Sequence, residues 1–194
     1  DEQAKALLAR QANVDDSSIL PKVTKEDVAP HLHEPESQRL KGTLDVYCYP
    51  AGTNGLVYRE MIAPIAEIDS QDLAMLPLYA DFLTEVGLGN HDYLDVQRRQ
   101  SATVGGIHAH TLWRTDRKAD GQIKAYFALS SKALVANAEK QVALMSDTLA
   151  QPKFTEHKRL KELVSQRTQR RLNSITGNGH SLAMSAAAAA HDAL

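Results

Sequence analysis

Two runs of strict alternation, "IHAHTLWRT" and "GQIKAYFALS", are joined by the turn-rich "DRKADG" between residues 107 and 130. Alternation with period two places successive side chains on opposite faces, so this stretch demands an antiparallel pair with one face buried and the other free. Whatever flanks it must supply the cover. Upstream, "DSQDLAMLPLYADFLTEVG" opens on Asp69 or Ser70 as an N-cap. It carries Leu76, Tyr79, Leu83 and Val86 on one stripe, with Pro77 starting a new first turn. "DYLDVQRRQSATV" is a second, more polar helix ended by Gly105-Gly106.

Downstream the period is again helical. "SSKALVANAEKQVALMSDTLAQ" has Leu134, Ala138, Val142 and Met145 on one stripe, and "FTEHKRLKELVSQRTQRRLNSI" has Leu160, Leu163 and Val164. "GHSLAMSAAAAAHDAL" is built mostly from small residues. Before all of these, "TLDVYCYP" sets Leu44, Val46 and Cys48 on one face, and Asn54-Gly55 is a strong turn signal because both residues tolerate positive φ. With "LVYREMIAPI" after it, a first hairpin is expected. The order is hairpin, two helices, hairpin, three helices, which predicts an α+β fold with helices on one face of a largely antiparallel sheet. "EQAKALLARQ" is a short helical segment, and the 25 residues after Ala12 hold three prolines and no stable period. Residues 1–40 therefore read as an arm or linker, and residues 41–194 as one domain.

At 194 residues the chain can bury a core without a disulfide or a metal. Its 22 basic and 24 acidic side chains leave a net charge of -2, which gives no global attraction to nucleic acid or to an anionic membrane. Cys48 is the single cysteine and has no internal partner; the pattern around it fits a small buried thiol. No apolar run reaches the length of a membrane span. A reducing compartment is the expectation. The chain starts at Asp1 with no leader-like segment behind it, as a processed or excised piece would.

Four groups of residues invite a chemical reading. His31, His33 and Glu34 could furnish metal ligands but sit in the Pro-rich arm without a fourth partner. His108 and His110 alternate on one strand face and could chelate together, although a solvated or partner-facing strand face is the favoured account of them. Seven basic residues lie between Lys153 and Arg171, and no aromatic residue interleaves them after Phe154, so a solvated helix face is favoured over nucleic-acid binding. Asp81 and Glu85 stand four apart, off the apolar stripe of their helix.

The blocks "DDSSILPKVTKEDVAP", "TNGLVYREM", "LPLYADFLTEVGLGNHDYLDVQRRQSATVGGI" and "FTEHKRLKELVSQRTQRRLNSITGNGHSLA" resemble, in content and in spacing, the insulinase and pitrilysin superfamily of zinc metallopeptidases, in its presequence-protease branch. That superfamily closes two homologous halves around a peptide, and only its first domain carries the inverted zinc motif H-x-x-E-H, with a further Glu on a later helix. Laid on the zinc helix, this chain has Asp81 and Glu85 for the two histidines and Thr84 for the general base. A hydroxyl there cannot deprotonate water near neutral pH. "KFTEH" imitates the end of the motif, but Lys153 stands in place of the first histidine and the segment lies on another helix.

The resemblance implies the third domain of such an enzyme, preceded by the end of the linker between the halves. It implies no catalytic residue and no cofactor in this chain, with zinc held by a different domain of the parent. It further implies partnership with the other domains of the same polypeptide and with peptide substrate, weak self-association when isolated, and no nucleic-acid or membrane partner. The location would be cytoplasmic in a bacterium or an organelle matrix in a eukaryote. The alternative reading is a silent scaffold or core subunit with the same fold.

Overall fold

The computed structural model describes residues 2–12, 18, 20–31, 35–115 and 123–189. The chain divides into two compact units, Asp1–Gly52 and Thr53–Leu194. In the first, helix α1 (Glu2–Gln11) buries no residue. A single 3-10 turn at Lys25–Asp27 is closed by a reciprocal cap, in which the Thr24 amide donates to Asp27 Oδ2 at 2.8 Å. Strand β1 (Gln38–Leu40) pairs antiparallel with β2 (Val46–Cys48), with Arg39 and Asp45 ion-paired at 2.5 Å. Leu44 and Val46 are exposed and Cys48 is only half-buried, so the face expected to be covered is open within this unit.

The second unit is built on a three-stranded antiparallel sheet of order β3-β6-β5: β3 (Leu56–Pro64), β5 (Gly106–Thr115) and β6 (Ile123–Leu134). Strands β5 and β6 pair as the alternation requires, while the turn expected at residues 116–121 lies outside the described residues. Between β3 and β5 run helix α2 (Ser70–Leu83), the two-residue strand β4 (Gly87–Leu88) and helix α3 (Tyr93–Thr103). After β6 come α4 (Ala138–Ala150), β7 (Pro152–Lys153), α5 (His157–Gly177) and α6 (Gly179–Ala188). The class is α+β, as the alternation and helical periods require.

Register assigns the faces. Met61, Leu129 and Ala109 stand opposite one another, as do Glu60, Ser130 and His108, so odd-numbered residues share one face and even-numbered residues the other. Helices cover the odd face along β6 and the start of β5, while Met61 and Trp113 on the same face stay exposed. Leu129 and Ile107 join Val96, Leu144, Met145 and Leu88 in one core cluster, Phe127 meets the Tyr79 ring at 5.7 Å, and Arg59 Nε donates to Gln141 Oε1 at 3.1 Å. Burial among these rings pushes the Tyr79 phenol pKa up. A second cluster, Phe82, Val86 and Leu163, joins α2 to α5. Neither cluster includes a residue of the even face.

Three sequence expectations are corrected. The first hairpin does not form: the Asn54-Gly55 turn is present, with φ of 51° and 79° and the Leu56 amide bonded to the Thr53 carbonyl at 3.2 Å, but β2 pairs with β1 and β3 with β6. A turn fixes the local reversal, while nine residues of ladder to β6 fix the partner of β3. The helix expected from Ser130 begins at Ala138, because Ser130–Leu134 are held in β6 by pairing to β3, and Ser130–Lys132 also to β5. Its buried face is Gln141, Leu144, Met145 and Thr148, leaving Val142 exposed. Third, α2 runs unbroken through Pro77. The bond lost to proline is that of the Leu73 carbonyl, on a turn exposed enough for water to replace it.

Candidate functional site

Helix α2 starts because Asp69 Oδ1 accepts the Gln71 and Asp72 amides at 2.9 and 2.8 Å. It ends at Thr84, whose conformation leaves the helical region (φ -92°, ψ 2°). Ala80, Phe82 and Leu83 are buried, which turns Asp81 and Glu85 outward toward α5. An open cleft of about 560 Å³ runs between the two helices, lined by Asp81 and Glu85 from one side and Gln166, Gln169, Arg170 and Asn173 from the other.

Each carboxylate already has a cation. Asp81 pairs with Arg167, whose Nη1 also lies 3.5 Å from the Pro77 carbonyl. Glu85 Oε2 accepts from Arg159 Nη2 at 2.8 Å, and the Glu85 carbonyl accepts from Arg159 Nε at 3.1 Å. The Arg159 guanidinium is nearly buried, stacks 4.4 Å from the centre of the Tyr93 ring and faces Glu162 at 3.8 Å. Thr84 contributes only its carbonyl, which accepts from Gln100 Nε2 at 2.9 Å.

These residues do not fit a zinc ion. Zinc in proteins takes imidazole, thiolate or carboxylate donors in a tight tetrahedral set, and here the two carboxylates are neutralised by guanidinium groups of the facing helix. Among the described residues, no group of three His, Cys, Asp or Glu side chains is placed to hold a metal ion. His108 and His110 lie on the even face of the sheet, with His110 Nε2 3.6 Å from Glu60 Oε1. His31 is exposed, and His33 and Glu34 lie outside the described residues.

Glu156 has a place that the sequence did not reveal. Its Oε2 accepts the Gly87 amide at 2.7 Å and its Oε1 the Tyr93 amide at 3.3 Å, so one carboxylate ties the turn after α2 to the first residue of α3. The negative charge at a helix start is favoured by the exposed amides there. The only sequence signal was an acid just ahead of α5, and its partners lie 63 and 69 residues away.

Arg159 should matter more than the pair of Asp81 with Arg167. Arg159→Ala removes two hydrogen bonds to Glu85 and a ring contact, but Glu85 and Glu162 are 44% and 42% exposed and can rehydrate. A loss of about 1 to 2 kcal/mol is expected in urea melts, against less than about 1 kcal/mol for Asp81→Ala, whose pair is more exposed. Equal losses would show that the guanidinium of Arg159 is not the firmer anchor.

Among the described residues, no helix is long and apolar enough to cross a membrane. The chain is similar to mitochondrial presequence proteases of Danio rerio, at 29% identity over 188 residues, and of Xenopus tropicalis, at 25% over 183. These matches cover 96% and 92% of this chain but 18% of each relative. Presequence protease 1, chloroplastic/mitochondrial, of Arabidopsis thaliana is 28% identical over 131 residues, covering 68% of this chain and 12% of the relative. The chain thus spans about a fifth or less of the length of the curated relatives it matches. A family model described as Peptidase M-16C associated matches residues 1–193, and the chain belongs to that family.

Proposed function

We propose that this chain is a non-catalytic domain from the C-terminal half of a zinc metalloendopeptidase that degrades peptides, and that it forms part of the wall of the closed substrate chamber. Residues 1–40 are the end of the linker and an extended arm, and residues 41–194 the domain itself. Its partners are the other domains of the same polypeptide and, in the parent, the peptide substrate. Zinc belongs to another domain. The relatives' names place them in mitochondria or chloroplasts, which supports an organelle matrix for this chain in a eukaryote.

One observation carries the reading. On the helix that resembles the family's zinc helix, the positions of both histidines hold carboxylates engaged by Arg159 and Arg167, and the position of the base holds Thr84. The arrangement offers neither an imidazole nor a group able to take a proton from water near neutral pH. The even face of the sheet, lying opposite the helices, keeps Tyr58 and Ile62 exposed around the buried Ala128 and is the surface suited to line a chamber.

The purified chain is expected to leave a fluorogenic peptide uncut and to carry no stoichiometric zinc by metal analysis. Chelator-sensitive cleavage, or one tightly held zinc per chain, would sink the proposal.

A further inference from the structure

The even face of the three-stranded sheet has an uneven distribution of charge. Tyr58 and Ile62 are 62% and 55% exposed, and Tyr126 and Leu112 are half-buried beside them. Lys132 stands at one end of the face, and Lys124 and Arg114 stand opposite each other at the other end. Eight residues of strand separate Lys132 from Lys124, about 27 Å at the usual rise. Glu60 is the one carboxylate of this face among the described residues of the three strands, and His110 lies against it at 3.6 Å. Gly105 and Gly106 leave room beside them for long side chains: a Cβ on the first would meet the Lys132 stem at 3.3 Å, and on the second the His108 ring at 3.1 Å.

We infer that this face takes an extended peptide segment that is apolar in its middle and carries acidic residues toward both ends, about eight residues apart. The aromatic and aliphatic side chains supply contact area, and Lys132 at one end and Arg114 at the other select carboxylates. Cations confined to the two ends, with apolar residues between them, do not form the continuous basic track that a nucleic-acid backbone needs. The inference rests on the proposed role as a peptide-facing wall and adds the chemistry of what that wall prefers.

Fluorescence anisotropy with the 194-residue chain tests it, using two labelled peptides of about twelve residues that share an apolar centre and end in either Glu or Lys pairs. The acidic-ended peptide should bind at least about tenfold more tightly at low salt, with the advantage shrinking as salt rises. Lys132→Glu combined with Arg114→Glu should reverse the preference. The milder Lys132→Gln with Arg114→Gln should abolish it, and Lys158→Glu with Arg171→Glu on α5 should leave it intact. Equal affinities, a preference for the basic peptide, no binding of either, or loss of preference in the α5 variant would overturn the inference. None of these bears on cleavage, read separately from the same peptides by mass spectrometry, or on zinc content, and those two measurements test the proposed function.

Discussion

Leu83→Ala should cost the fold about 2 to 5 kcal/mol, the range for truncating a fully buried leucine when the surroundings only partly collapse. Leu83 is the last residue of α2 and has no exposed surface. It lies between Phe82 and Val86 in sequence, both buried in the cluster that joins α2 to α5, so a void here loosens the helix where its carboxylates meet Arg159 and Arg167. Urea melts monitored by circular dichroism would measure it, with Asp81→Ala as the comparison two residues away. If Asp81→Ala proved as damaging as Leu83→Ala, the packing of this helix would depend on its ion pairs, contrary to the burial seen.

Gly87→Ala should be comparably severe, at about 3 kcal/mol, toward the upper end for forcing volume into a packed site. The added methyl would meet the His91 carbonyl oxygen at 2.4 Å and Glu156 Oε2 at 2.9 Å. Neither yields easily. The His91 carbonyl is held in a tight turn by reciprocal hydrogen bonds with Leu88 at 3.0 and 3.1 Å, and Glu156 is bonded to the Gly87 amide itself. Moving either group breaks a bond whose partner is left in a half-dry loop. The same melts would give the value; Gly89→Ala is no control for it, because φ there is 56° and alanine would be strained for another reason. A loss below about 0.5 kcal/mol, typical of surface changes, would mean that the turn shifts freely.

Elements bounded by local chemistry were legible in the sequence. Asp69 caps α2 as expected, α3 starts at the second residue of the run read as that helix, and the alternation of residues 107–115 gives β5 almost to the residue. What failed depended on distant partners. The alternation around Val46 fits any antiparallel neighbour, and nothing local says whether that neighbour is β1 or β3. Ser130–Leu134 could enter either a strand or a helix by propensity, and the pairing with Leu56–Glu60 decides it. The same holds at the site. Asp81 and Glu85 were visible as carboxylates off the apolar stripe, whereas their cations, Arg167 and Arg159, come from another helix far along the chain.

The carboxylate of Glu156 also bears on the order in which the chain can fold. The two amides that it binds, in the turn after α2 and at the first residue of α3, are made long before α5 exists, so until residue 156 arrives those donors must stay in water. Closing a loop of that length has its entropic cost before any contact rewards it. Helices α2 and α3 can therefore be formed early, joined by Gln100 to the Thr84 carbonyl, and the start of α5 adds a second tie between them when it docks. During synthesis the segments ahead of α5 would meet through few bonds, and one late acidic side chain would stiffen the joint between them.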